Sequence, residues 1–386
     1  MVYNQNLMEE QFREYKPIEI IGQGSYGIVM KCKDRLTNEI VAIKKITDSY
    51  YYMPEVLREF MILKILDKHI NVIRLLNIFR IKSFLYIVFP YMDYNICQYI
   101  NEYYPNGLGY NLTKEFMSQI INGIDYMHRN YVVHRDIKPE NILITKTGLI
   151  KICDLGVSKM LCALSFKKET IMTPEMGTIW YQSPEMLLGT QKYGPEIDVW
   201  SLGIVFIECM SGQPIITKET SIEQYQSIVK YFGVPIRDQK YLNRKIKKIN
   251  KVVSIKYIES STFKNVSMAL NNYFPQWPID LIEIVSKCLE FIPSKRKTTK
   301  SLLNTLYFIV HLDFLSFLNC RLHHQIVVMT VLFHSSYLSS ELCLSSLGFD
   351  TPAEKEVVDG FSKSSNKSSP KSSIIYKIVL GVKTTI

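Results

Sequence analysis

The chain lacks several features that would have classified it at once. Its eight cysteines, Cys32, Cys97, Cys153, Cys162, Cys209, Cys288, Cys320 and Cys343, are scattered and form no C-x-x-C pair. That spacing argues against a disulfide scaffold and against a zinc site, and it fits a reducing intracellular compartment, nucleus or cytoplasm. The opening MVYNQNLMEEQF has no basic stretch leading into an apolar one, so no secretory signal is expected. The apolar run IVVMTVLF (326–333) is too short to span a bilayer, and no membrane association is expected. No aromatic-rich RNA-binding motif and no zinc finger occurs.

What is present is globular material. The 386 residues are 47% hydrophobic and 21% charged, enough for one large core or two lobes. Net charge is +10, and part of the excess lies in RDQKYLNRKIKKINKVVSIK (237–256), with eight Lys/Arg against one Asp. Such a run suits a solvated helical face, with a nucleic-acid-binding module as the alternative. Residues 362–373, SKSSNKSSPKSS, hold seven Ser and three Lys and read as disorder.

Periodicity divides the rest. From about 16 to 91 the pattern is strand-like, in IEIIGQGSYGIVMKCKD, EIVAIKKI and SFLYIVFPY. One helix interrupts it: Pro54 suits a first helical turn, and Val56, Ile62, Leu63 and Leu66 recur with helical spacing. From about 113 the pattern is mostly helical. An α+β chain is expected, with a small β-rich lobe followed by a larger helical one.

Four constellations carry chemistry. Gly22, Gly24 and Gly27 form G-x-G-x-x-G, but Ile28, Val29 and Met30 continue as strand, so the turn belongs to a hairpin and not to a dinucleotide fold. A glycine-rich hairpin lets backbone approach phosphates closely. In VAIK, Ala42 and Lys44 share one face of a strand, so the ammonium points beside a small residue. Glu59 lies on the apolar stripe of the helix and needs a partner there, for which Lys44 is the candidate. The segment VVHRDIKPENILI (132–144) packs His134, Arg135, Asp136, Lys138, Glu140 and Asn141 between two apolar runs, and Asp154 follows in CDLG. Asp136 can accept a hydroxyl proton, Lys138 can neutralise a moving phosphoryl group, and Asn141 with Asp154 suits Mg²⁺.

Together these residues resemble the eukaryotic protein kinase family over about 16–308. GQGSYGIV is similar to its glycine-rich loop, VAIK to its strand lysine, HRDIKPEN to its catalytic loop and DLG to its metal-binding triplet. SPE (183–185) is similar to the end of its activation segment, DVWSLG (198–203) to the helix that anchors the catalytic loop, and Arg296 to the arginine that pairs with Glu185. The resemblance implies a bilobal kinase fold, with a small lobe to about 91 and a large one to 308. A basic insert at about 212–275 falls within the large lobe. An extension (1–15) would precede the kinase domain and a tail (309–386) would follow it. It implies ATP held by Gly22, Gln23, Gly24, Ser25, Tyr26, Gly27, Val29, Ala42, Lys44, Glu59, Phe89, Pro90 and Met92. It implies Mg²⁺ on Asn141 and Asp154, with Asp136, Lys138 and Thr178 as catalytic residues.

Lys138 and Thr178 follow the pattern of kinases that act on Ser/Thr of proteins. TIWYQSPEMLLG (178–189) and the insert opening resemble the cyclin-dependent kinase branch, and MPEVLREFMILKIL resembles its cyclin-contacting helix. A cyclin-like activating subunit is therefore implied. Thr173 aligns with the activating phosphothreonine, and Arg58, Arg135 and Lys159 occupy the positions that would receive its phosphate. Ser25 and Tyr26 match an inhibitory pair. Departures are Gln182 for the arginine that shapes a proline pocket, Leu155 within DLG, Asn95 for an Asp near the ribose, and Ile292 for an Asp, a change that would loosen the lower lobe. A catalytically silent scaffold built on the same fold is the alternative reading. Cys153, beside Asp154, is either a thiol open to electrophiles or a small buried apolar group.

Overall fold

The computed structural model describes residues 14–24, 27–46, 53–161, 178–190, 193–235, 238 and 263–309. Ser25, Tyr26, Thr173, nearly all of the basic run 237–256 and the tail from 310 onward lie outside the described residues.

The small lobe is one antiparallel sheet. Its strands are β1 (Tyr15–Gly24), β2 (Gly27–Asp34), β3 (Ile40–Ile46), β4 (Asn77–Ile81) and β5 (Phe84–Pro90), in the order β1-β2-β3-β5-β4. Alternation along β3 gives the sheet two different faces. Val41 and Ile43 turn to the outer face and pack with Cys32, Phe79, Tyr86, Val88 and Tyr15. There the Tyr15 and Phe79 rings stack at 5.7 Å and those of Phe79 and Tyr86 at 5.1 Å. Ile46, on the opposite parity, packs with Ile87 and with Val56 of helix α1 (Met53–Leu66). The stripe expected on α1 is buried at Val56, Ile62, Leu63 and Leu66, and Glu59 shares it at 5% exposure.

After a short strand, β6 (Tyr94–Asn95), the large lobe begins with helices α2 (Ile96–Tyr103) and α3 (Gly109–Arg129). Next come β7 (Val132–Val133), β8 (Ile142–Ile144), β9 (Ile150–Ile152) and β10 (Lys159–Met160). Helices α4 (Pro184–Leu187), α5 (Glu196–Ser211), α6 (Ser221–Phe232), α7 (Val266–Tyr273), α8 (Ile279–Cys288) and α9 (Thr299–Leu303) complete it. Helix α5 is buried from Ile197 to Cys209. A helix apolar nearly all round belongs in the middle of a core, and α3 and α8 pack against it. No helix among the described residues is long and apolar enough to cross a membrane. The protein thus has the two-lobed α+β architecture that its sequence implies.

One buried ion pair fastens the large lobe. The Arg296 guanidinium, with no exposed side-chain surface, donates Nη1 to Glu185 Oε1 at 2.6 Å and Nη2 to Glu185 Oε2 at 2.7 Å. It also donates to the carbonyls of Glu196 (3.0 Å) and Glu290 (2.8 Å) and lies 5.1 Å from the centre of the Trp200 ring. At Ile292 the turn leading to Arg296 is formed, and the Ile292 carbonyl accepts from Lys295 N at 2.9 Å. The backbone supplies this bond, so an Asp side chain is not required for the turn.

Arg296→Ala would leave Glu185 without its partner and should lower the unfolding free energy by about 3–5 kcal/mol in chemical denaturation. The double variant Glu185→Gln/Arg296→Met should lose less than the two single variants added together.

Candidate active site

The site is roofed by the cleft-facing parity of the sheet. Val29, Lys44 and Ile87 lie opposite one another across β2, β3 and β5, and Ala42 lies opposite Phe89. Directly paired residues share a face, so Val29, Ala42, Lys44 and Phe89 all project toward α1 and the large lobe. Gly27 has φ +133°, and a Cβ there would fall 1.9 Å from the Lys45 carbonyl oxygen, so only glycine can close the hairpin. Gly22 and Gln23 pair with Val29 and Ile28, and Gly24 pairs with Gly27. At the exit to the large lobe, Pro90 pairs with Val41 and Met92 is buried.

Lys44 Nζ lies 3.4 Å from Glu59 Oε1 and 3.3 Å from Oε2, as the two periodicities required. Burial opposes the Lys44 charge, but the Glu59 and Asp154 carboxylates outweigh it and hold its pKa above the ordinary lysine value. Lys44 therefore stays protonated between two carboxylates that come from different lobes.

The catalytic loop hangs from one buried acid. Asp198, fully buried, accepts from His134 N (2.9 Å) and Arg135 N (2.9 Å) and pairs with His128 Nε2 (2.8 Å). Burial alone would raise its pKa, yet the His128 contact and the Arg135 N–H hold it below the usual carboxylate value. The chain then turns with Arg135 at φ 72°, and His134 Nε2 meets the Cys153 carbonyl at 2.9 Å. These contacts bring the loop and the segment that follows β9 together.

Three of the expected residues converge within that loop and meet Thr178. Asp136 Oδ2 accepts from Asn141 Nδ2 at 2.9 Å and from Lys138 Nζ at 2.9 Å. Asp136 Oδ1 faces Thr178 N at 3.4 Å, and Lys138 Nζ donates to Thr178 Oγ1 at 3.0 Å. Because Asn141 Nδ2 also donates to the Asp136 carbonyl (2.8 Å), the amide is oriented with Oδ1 left to accept. Asp154 is exposed, with φ 59°. One amide oxygen and one carboxylate form the incomplete oxygen set that Mg²⁺ completes with phosphate and water, so the residues fit that ion. Leu155 is fully buried in the core. Burial and the Asp154 charge push the Cys153 thiol far up, which makes it a poor nucleophile.

Other expected residues sit as follows. Arg135 Nε donates to the Val157 carbonyl (2.5 Å), and Lys159 pairs across from Val133 on β10. Burial, then Arg135 and Arg58, lower the Lys159 pKa, so the three cations lie close enough to sense one another. Asn95 caps α2: its Oδ1 accepts from Gln98 N at 2.8 Å while Gln98 Oε1 accepts from Asn95 N at 3.1 Å. Gln182 is buried at the end of the turn 179–181.

Sequence reasoning missed one feature of the same region. Glu208, 4% exposed, accepts from Tyr181 Oη at 2.7 Å. Its signal was an acid inside the otherwise apolar run of α5. Burial raises its pKa to about 7, with the Tyr181 bond opposing and Glu140 adding to the rise. The folded state therefore keeps this proton after the unfolded chain has released its own. Stability from this group is fully present below about pH 4.5 and declines as pH rises through about 7. Glu208→Gln should gain roughly 2 kcal/mol relative to the parent between pH 5 and 8 in denaturation series. Parallel pH profiles would contradict the assignment.

A glycine-turned roof, a lysine–glutamate pair beneath it and an Asp-Lys-Asn loop on a helical lobe define a protein kinase. In agreement, the family model for the protein kinase domain matches residues 15–308, and the chain belongs to that family. The similarity narrows to the cyclin-dependent kinase-like members. The chain is 34% identical to cyclin-dependent kinase-like 2 of Rattus norvegicus over 300 residues, 76% of this chain and 57% of that protein. Against the Homo sapiens protein of that name the identity is 34% over 300 residues, 76% and 58% of the two chains. Against cyclin-dependent kinase-like 4 of Mus musculus it is 34% over 298 residues, 76% and 83%. The chain thus spans little more than half the length of the cyclin-dependent kinase-like 2 proteins it matches.

Proposed function

We propose that the protein is a Mg²⁺- and ATP-dependent kinase that phosphorylates Ser/Thr of protein substrates inside the cell. The observation that carries this reading is the Asp136 carboxylate, held by Asn141 and Lys138 with Thr178 beside it. Backbone of 22–27 and Lys44 hold the phosphates of ATP, Ala42 and Val29 cover the base, and Phe89, Pro90 and Met92 edge it. Mg²⁺ on Asn141 and Asp154 supplies charge neutralisation for the phosphate oxygens. Asp136 orients the substrate hydroxyl and takes its proton. The hydroxyl oxygen forms its bond to the γ-phosphorus while the bond to the β–γ bridging oxygen breaks and ADP leaves with that electron pair. Lys138 balances the charge on the transferred group, and Thr178 keeps Lys138 and Asp136 in register. Such catalysis is positioning and electrostatics.

Regulation follows from the same residues. A phosphate on Thr173 would meet Arg58, Arg135 and Lys159, whose mutual repulsion it would relieve, tying α1 to the catalytic loop. An activating subunit of cyclin-like chemistry would cover the exposed α1 stripe of Leu57 (52%), Met61 (58%) and Ile65 (37%). Gln182 stands where the resemblance expects the cation that shapes a proline pocket, so a peptide library also reads whether proline after the target is selected.

The test is Mg²⁺-ATP transfer to a Ser/Thr peptide library, with and without such a subunit. Transfer is expected, and Asp154→Asn should keep the fold while losing at least about a hundredfold to a thousandfold in rate. ATP binding without turnover under every condition would favour the silent scaffold.

A further inference from the structure

The turn that follows Thr178 (Ile179–Tyr181) is held by two different helices. Helix α5 takes Tyr181: Ser201 Oγ donates to its carbonyl at 2.8 Å, and its hydroxyl donates to Glu208. The chain that opens the insert takes Trp180. Gln224 of α6, with no exposed surface, donates Nε2 to the Trp180 carbonyl (3.1 Å) and to the Ile216 carbonyl (3.1 Å). Its Oε1 accepts from Lys218 N at 3.0 Å. Trp180 returns the connection, since its indole Nε1 donates to the Lys218 carbonyl at 3.1 Å.

The sequence places that amide with care. Thr220 caps α6, its Oγ1 accepting from Glu223 N at 3.3 Å, so Gln224 falls in the first turn. There it joins the buried stripe of Tyr225, Ile228, Val229 and Phe232. A carboxamide on a buried stripe is costly unless its polar atoms are bonded. Here both N–H groups and the oxygen are in use, all of them on backbone, and the backbone comes from two segments far apart in sequence. An apolar residue of the same size would leave two carbonyls and one N–H without their partner.

We infer that Gln224 is a positioning residue for the peptide side of the reaction: it clasps the opening of the insert to the turn that carries Ile179 and Trp180. This rests on the kinase reading of the site and goes beyond it. Thr178, directly before the turn, faces Asp136 and Lys138, where the substrate hydroxyl would lie. Ile179 and Trp180 come next and are half-buried, so they keep surface to offer the chain on either side of that hydroxyl. Where they lie is set by Gln224 through the Trp180 carbonyl. The bonds of Gln224 run to none of the residues that hold the nucleotide, so its influence falls on peptide and not on ATP. An ordinary packing role would lower stability without separating the two substrates.

The experiment is steady-state kinetics on the full chain with the best peptide of the Ser/Thr library, comparing Gln224→Met with the parent. Methionine keeps the volume and loses all three bonds. The variant is expected to raise KM for the peptide about tenfold, while KM for ATP and kcat stay within about twofold. Trp180→Phe, which keeps a ring and removes only the return bond, should raise KM for the peptide about threefold and leave KM for ATP in place. Equal shifts in the two KM values, a fall in kcat alone, or parent-like kinetics in Gln224→Met would overturn the inference. If Gln224→Met fails to fold, Trp180→Phe decides, and parent-like KM values there reject the clasp. A parent protein that folds but transfers no phosphate would refute the kinase reading instead. In that case amide exchange at 179–182 reads the clasp: faster exchange in Gln224→Met than in the parent supports it, and equal rates reject it.

Discussion

The fully buried carboxylate of Asp198 is the constraint on which the site depends. A charge without water must be surrounded by donors, and here the donors are two consecutive backbone N–H groups of the catalytic loop and a histidine of α3. Satisfying the carboxylate and shaping the loop are therefore one act. The loop in turn accepts a left-handed Arg135, at φ 72°, that no glycine or asparagine eases. Residues in such a conformation persist where surrounding bonds over-determine them. Asp136, Lys138 and Asn141 follow immediately, so their geometry is set by a residue that never approaches substrate.

Two ion pairs show how differently the fold uses charge. Arg296 and Glu185 meet in fork geometry at 2.6 and 2.7 Å inside the large lobe, with further bonds to carbonyls. Lys44 and Glu59 meet at 3.3 to 3.4 Å between a strand and a helix that no large core joins. The first arrangement suits permanence. The second suits a contact that a neighbouring anion or a bound partner can tighten or release, because small shifts of α1 change it directly.

Much of this was legible in the sequence, for reasons that can be stated. The period of two in β3 put Ala42 and Lys44 on one face, and the helical period put Glu59 on the buried stripe of α1. Their meeting then followed from the cost of an unpaired buried acid. The order and spacing of Asp136, Lys138, Asn141 and Asp154 carried the loop. What remained hidden depended on long-range partners. DVWSLG shows an acid in an apolar helix but not which backbone it serves. Glu208 needed Tyr181, a residue from a distant turn, and Gln224 needed Trp180 and the backbone of 216–218. The left-handed backbone at Arg135 and Asp154 has no local signature at all, since neither is a residue type that favours it strongly enough to be read.

The central claim is that Asp136 acts on the substrate hydroxyl while other residues hold the nucleotide. Its most direct test is to compare Asp136→Asn with the parent protein in Mg²⁺-ATP binding and in phosphoryl transfer under single turnover. ATP affinity should stay within about threefold of the parent, and the transfer rate should fall by roughly a thousandfold. Transfer close to the parent rate with affinity unchanged would contradict it.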